Sequence, residues 1–225
     1  MEVLVVAAHP DDEVLGLGGT IVKHSLNGDN VHLLIITDGS TSQYHNDPCL
    51  QDILKEKKEE TRKCAEILGI KSIDYGMLPD MKLDMVEHIT INSCIEQAIE
   101  NYKPDIVYTH FFGDINKDHQ KVSESTLVAA RPVGGQCVKK VYYYRTPSST
   151  EWNTQTIKNS FIPNVFVDIT RYVSIKQAAI ACYTKELRDY PHPRCVKSVD
   201  ILDKATGITI GCMAAEAFML AREIR

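Results

Sequence analysis

The chain has no C-x-x-C pair, and its seven cysteines (positions 49, 64, 94, 137, 182, 195 and 212) are an odd number scattered over the whole length. That spacing excludes a zinc ribbon and argues against a secreted disulfide framework. Free thiols in a reducing, cytoplasmic compartment are expected instead. There is no basic excess: 25 Lys and Arg stand against 30 Asp and Glu, a net charge of −5, which gives nucleic acid no footing as a ligand. No long hydrophobic run is present. The apolar start Met1–Ala8 lacks a basic flank and runs straight into His-Pro-Asp-Asp-Glu, which suits a buried strand and neither a signal peptide nor a membrane span. No repeat, low-complexity tract or linker interrupts the 225 residues, so residues 1–225 are read as one domain, long enough to fold without a disulfide or metal staple.

What is present is an alternation of short apolar runs with longer helical patterns. Val3–Ala8, Val31–Ile36, Ile106–Thr109, Val141–Tyr144 and Val165–Ile169 are rich in β-branched and aromatic residues, with Ser72–Tyr75 a weaker case. Near-continuous hydrophobicity predicts strands covered on both faces, as in a parallel sheet. Leu50–Leu68, followed by Gly69 at a C-cap position, and Val86–Ile99, followed by Pro104, have helical periodicity. Ser174–Leu187 and Cys212–Ile224 also read as helices. The expected fold is an α/β, doubly wound, mostly parallel sheet flanked by helices. Ligands in such folds sit beyond the carboxyl ends of the strands.

Two polar clusters stand at such exits. The first is His9-Pro10-Asp11-Asp12-Glu13. Three adjacent carboxylates are costly unless a cation or a helix N-terminus offsets them. They can be an acidic helix start near Val14; alternatively, His9 and Asp12 close on one metal ion, leaving Asp11 beside it to take a proton from water. The second cluster, Gly113-Asp114-Ile115-Asn116-Lys117-Asp118-His119, follows the strand ending at Thr109 and precedes a helix over roughly Lys121–Ala130. It can be an ordinary polar loop. Equally, His119 completes a two-histidine, one-aspartate set with His9 and Asp12, an open arrangement suited to a catalytic zinc, with Asp118 placed to orient a ring or a water. His110 ends the same strand near this site. The histidines at 24, 32, 45 and 88 carry no pattern.

Ala8-His9-Pro10-Asp11-Asp12-Glu13, taken with Asp118-His119, resembles the LmbE/PIG-L family of zinc-dependent N-deacetylases. The likeness extends more weakly to Glu60–Gly69 with its Arg62, to Pro147-Ser148-Ser149-Thr150-Glu151-Trp152, to Tyr190-Pro191-His192-Pro193-Arg194 and to Ala215-Glu216-Ala217-Phe218. The resemblance implies a Rossmann-like sheet, a metal held by His9, Asp12 and His119, and Asp11 as general base. It also implies Arg62 as a substrate contact and His192 as a wall of the site. Its substrates are N-acetylglucosamine-type groups, free or on small conjugates or nucleotide sugars. Zinc is the expected cofactor, with iron or another divalent metal as the substitute, and a homotrimer or hexamer is a common assembly. One departure concerns Asn116, where many members carry a histidine. An amide can donate to an oxyanion but delivers no proton at neutral pH, which leaves the acid role to Asp11, His110 or His192. The loop Asp38-Gly39-Ser40-Thr41-Ser42, after the second strand, offers donors such as Ser40 to a sugar, or is simply a turn.

Three other readings compete. Two histidines and a carboxylate also form the facial triad of non-haem iron oxygenases, although those sites usually occupy β-sandwich scaffolds. Gly16-Leu17-Gly18-Gly19 follows a first strand as a dinucleotide loop would, but the G-x-G-x-x-G spacing is not met and three acids precede it. A non-catalytic sugar-binding or regulatory protein could keep the same fold.

Overall fold

Five runs of apolar and β-branched residues form the parallel part of one seven-stranded sheet: β1 (Glu2–Ala7), β2 (Asn30–Thr37), β3 (Ser72–Leu78), β4 (Ile106–His110) and β5 (Lys140–Tyr144). The computed structural model describes every residue except His45. The strand order is β3-β2-β1-β4-β5-β7-β6, with β6 at Val165–Asp168 and β7 at Ala215–Glu223. Only β7 runs against its neighbours β5 and β6, so the fold is α/β and Rossmann-like with a mostly parallel sheet. The order reverses between β1 and β4, the crevice at which such sheets bind ligands.

Alternate residues of β1 divide the core into two layers, as the two-residue period of a strand requires. Val3, Val5 and Ala7 pack with α1 (Asp12–Leu26), α3 (Leu50–Leu68), α6 (Val173–Ile180) and α7 (Val196–Ile210). Leu4, Val6 and Ala8 face α4 (His88–Tyr102) and α5 (Lys117–Ala129) on the other side. A four-residue helix, α2 (Thr41–Tyr44), follows the exit of β2.

Two of the expected elements differ. The segment expected to be a helix over residues 212–224 instead holds the antiparallel strand β7 at Ala215–Glu223, although Ala, Met, Leu, Glu and Arg there favour a helix. The gap between β5 and β6 decides otherwise, burying Ala215, Ala217 and Phe218. Conversely, Val196–Ile210 is a helix whose many β-branched residues obscure its periodicity. The helix expected over Ser174–Leu187 ends at Ile180.

Glycines 16, 18 and 19 lie inside α1 and form no phosphate loop. A Cβ on Gly16 would come within 2.5 Å of the Tyr144 ring. At Leu17 (φ −150°) the helix kinks, and the freed N–H groups of Gly19 and Thr20 donate to the Glu216 carboxylate at 2.9 and 2.7 Å. Glu216 is itself paired with the buried Lys176 at 2.8 Å. A side chain of this protein therefore occupies the donors a pyrophosphate would need, which disposes of the dinucleotide reading.

Candidate metal and catalytic site

The chain leaves β1 through Ala8 and turns into α1 within four residues, and this turn sets the site. Asp11, just before α1, holds a left-handed φ of 104°, a strained conformation for a residue with a Cβ and one that recurs at functional sites. Its backbone N–H donates to Glu13 Oε2 at 3.1 Å. Thr37 of β2 donates its hydroxyl to Ala8 O at 2.8 Å, and Gly39 (φ 65°) lies so close to Pro10 that a Cβ would sit 2.5 Å from its ring.

His9, Asp12 and His119 converge at the β1 and β4 exits, with one ligand atom from each all within 4.8 Å of one another. His9 Nδ1 lies 3.2 Å from His119 Nε2 and 3.3 Å from Asp12 Oδ2, and Asp12 Oδ1 lies 3.5 Å from His119 Nε2. Carboxylates behind the rings fix their orientation. His9 Nε2 faces Asp118 Oδ2 at 3.0 Å and Asp80 Oδ1 at 3.3 Å, whereas His119 Nδ1 faces Asp114 Oδ2 at 3.2 Å. Protons held on those outer nitrogens turn the two inner nitrogens toward one another, where a cation can take the place of the proton between them. Asp12 Oδ2 accepts from His9 N at 2.7 Å, but Oδ1, fully buried, has no hydrogen-bond partner among the described residues. A buried carboxylate oxygen without a donor is costly; together with two imidazoles it fits a divalent metal.

The electrostatics agree. Burial alone would lower the pKa of His9, but hydrogen bonds to Asp118 and Asp12 and the Asp80 charge raise it to about 10. An incoming metal must therefore displace a proton. Burial would raise Asp12, yet the surrounding histidines, His119 first, hold it well below the ordinary carboxylate range.

Asp11 lies beside this group, and its oxygens have no hydrogen-bond partner among the described residues. Burial pushes its pKa up to about 8, against the pull of the Arg194 guanidinium 3.3 Å away. That contact is longer than a strong charge-assisted hydrogen bond, which accords with desolvation prevailing. Arg194 is shared with Glu186 at 3.3 Å, and Glu186 with the buried Lys57 at 2.7 Å.

The other expected site residues are placed unevenly. Asp118 also accepts from Met81 N and Leu83 N at 2.7 and 3.0 Å, binding the 80s loop to the site. Asn116 caps α5, taking Asp118 N on its Oδ1 at 2.8 Å, while its Nδ2 reaches Met81 Sδ at 3.5 Å. His192 stands edge-on to Trp152, ring centroids 5.6 Å apart, and its Nδ1 accepts from Arg194 N at 3.1 Å.

Three placements correct the expectation. Arg62 lies on the exposed side of α3, tied to Glu59 at 2.7 Å and to Glu66, because the helix turns it outward; Arg194 is the arginine at the site. His110 is wholly buried, with Nε2 3.3 Å from Asp12 Oδ2. Its Nε2 accepts from Ala8 N at 2.9 Å, its Nδ1 meets Thr146 Oγ1 at 3.1 Å, and its ring stacks 3.9 Å from that of His119. Burial first, and then His119, lowers its pKa to about 4. Ser40 is also fully buried, its hydroxyl unpaired among the described residues, because the loop folds inward onto Pro10.

Asp80, Asp114, Glu186 and Arg194 were not singled out as site residues by sequence reasoning. Asp114 and Arg194 lay within segments marked for other residues, and only the fold joins them to the site.

No helix among the described residues is long and apolar enough to cross a membrane. The chain is 28% identical over 187 residues to an uncharacterized deacetylase, YaiS, of Escherichia coli (strain K12), covering 79% of this chain and 88% of that one. It is 40% identical over 106 residues to a diacetylchitobiose deacetylase of Thermococcus kodakarensis, covering 47% and 39% respectively. Among solved structures, the 4-carboxy-2-hydroxymuconate hydratase of Pseudomonas putida KT2440 superposes with a TM-score of 0.79 at 21% identity, over 100% of this chain and 97% of that one. The fold is thus shared with a hydratase, and the site rather than the fold must carry the chemistry. Residues 4–130, more than half of the chain and including every member of the His9, Asp12 and His119 group, match the PIG-L family, described as GlcNAc-PI de-N-acetylase, and the chain belongs to that family.

Proposed function

We propose that the protein is a metal-dependent hydrolase that removes the acetyl group from an N-acetylated amino sugar, N-acetylglucosamine-like and either free or part of a small conjugate or nucleotide sugar. The products are acetate and the free amine. The observation that carries this reading is the pairing of Asp11, a desolvated carboxylate without hydrogen-bond partners among the described residues, with the neighbouring His9, Asp12 and His119. Family membership and the deacetylase relatives support it.

His9, Asp12 and His119 would hold the metal, with zinc as the fitting ion for two imidazoles and a carboxylate, and iron or another divalent metal as a substitute. When bound, the metal supplies Lewis-acid polarisation of the amide carbonyl and acidifies water. Asp11 takes the proton from the attacking water. Burial, which raises its proton affinity, lets it return that proton to the departing nitrogen as the C–N bond breaks. This removes the need for a separate acid at position 116. The Asn116 amide, once released from Met81, serves as a donor to the carbonyl oxygen as negative charge develops there. Asp118 and Asp114 act through the histidines they hold. A cytoplasmic enzyme of one domain, assembled as a homotrimer or hexamer and acting on soluble small molecules, completes the reading.

Acetate release from a panel of N-acetylhexosamines and their nucleotide conjugates tests it. Acetate from at least one candidate is expected. None from any, together with hydration of 4-carboxy-2-hydroxymuconate, would move the protein to the chemistry of its hydratase neighbour.

A further inference from the structure

The sequence contains one tryptophan, Trp152, and it is 54% exposed. It ends a short 3₁₀ turn, Thr150–Trp152, that is fastened on two sides. On one side, Ser149 Oγ and Thr150 Oγ1 donate to the two oxygens of Asp114 at 2.6 and 2.7 Å, the carboxylate that orients His119. On the other, Arg194 Nε donates to Ser148 Oγ at 2.9 Å while the same guanidinium stands 3.3 Å from Asp11. Ser148 keeps a left-handed φ of 72°, and its N–H donates to Glu151 Oε1 at 2.6 Å. The turn therefore bridges the histidine side and the Asp11 side of the site, and it carries the indole at its end. His192 stands perpendicular to the indole, at 89°, with ring centroids 5.6 Å apart.

An indole that stays half exposed on a turn tied to both sides of the site is an apolar platform. The C–H groups on one face of a pyranose ring match it, while the hydroxyls point outward to water and polar side chains. We propose that Trp152 is the platform on which a pyranose ring of the substrate lies, with His192 as its lateral stop, so that the acetamido group is presented to Asp11 and the metal group. This rests on the amino-sugar reading and narrows it to substrates that keep a closed sugar ring.

The sole tryptophan gives a direct signal. The metal-loaded Asp11→Asn protein, which binds without turnover, is titrated with N,N′-diacetylchitobiose while its fluorescence is followed, with calorimetry in parallel. A saturable change with the same midpoint as the heat is expected. In the otherwise wild-type enzyme, Trp152→Ala should raise KM about tenfold, the effect of losing one aromatic contact, with kcat within about threefold, and Trp152→Phe should restore most of the loss. Heat of binding without a fluorescence change overturns the proposal, as does an unchanged KM in Trp152→Ala. So does fluorescence that follows protein concentration instead of sugar, which would make Trp152 a contact between copies. If no amino sugar yields acetate or heat with the wild-type protein, the amino-sugar reading itself fails and the platform falls with it.

Discussion

Asp114 holds Oδ2 3.2 Å from Nδ1 of His119, and both residues are completely buried. The carboxylate is kept below its ordinary pKa by His119 and by the Ser149 and Asn116 donors, in spite of burial. Such a partner fixes the tautomer that turns Nε2 toward the metal. Asp114→Ala should therefore weaken metal affinity roughly 10- to 100-fold, measured by competition with a chromogenic chelator.

Asp11 has the opposite role, beside the metal group but outside it. Asp11→Asn should retain the metal while turnover falls roughly 10²- to 10⁴-fold. Metal content per chain, measured on the same preparation as the rate, separates the two outcomes. Loss of metal would make Asp11 a ligand.

The two arginines should behave differently. Arg62→Ala, altering a surface pair on α3, should leave kcat/KM essentially unchanged. Arg194→Ala removes the cation that opposes the upward shift of Asp11. A base must be deprotonated to act, so the acid limb of the rate profile should move to higher pH. Activity at pH 7 then drops about tenfold for each unit of that move and recovers in alkali.

The metal-free protein should lose stability as pH rises. His9, Asp11 and Glu13 have pKa values of about 10, 8 and 7 when folded, each above its ordinary value. A raised folded value means tighter proton binding in the native state, so the contribution is complete below the ordinary pKa and is lost as pH climbs through the raised one. Asp12, shifted downward, already contributes fully above pH 4 or so. The melting temperature of metal-free protein should thus fall between pH 6 and pH 9, by an amount on the order of a few kcal/mol in stability. Bound metal should flatten the dependence, since it replaces the proton on His9.

Much of this was legible in the residues themselves. Four of the parallel strands, β1, β2, β4 and β5, declare themselves through continuous apolar runs, because both faces of β1 and β4 are covered, whereas the edge strand β3 reads more weakly. The two strand-exit clusters are legible because metal-binding residue types lie within a few positions of a strand end. The strand β7 was not, since its Ala and Leu content favours a helix and only the open edge of β5 makes it a strand. Arg194 and Asp114 were not singled out, because their importance comes from partners far along the chain, Asp11 and Ser149 among them. The substrate contact expected of Arg62 rests on the family resemblance, and which side of its helix is exposed is set by packing against α1 and α6.

The most direct test is a titration of chelator-stripped protein with zinc while acetate release from an N-acetylated amino sugar is followed. Activity should be absent at the start, rise in proportion to zinc and break at one equivalent per chain, with His9→Ala and His119→Ala showing neither tight binding nor the rise. Acetate release at full rate from the stripped protein, or tight binding of one zinc with no acetate from any amino sugar, would contradict the assignment.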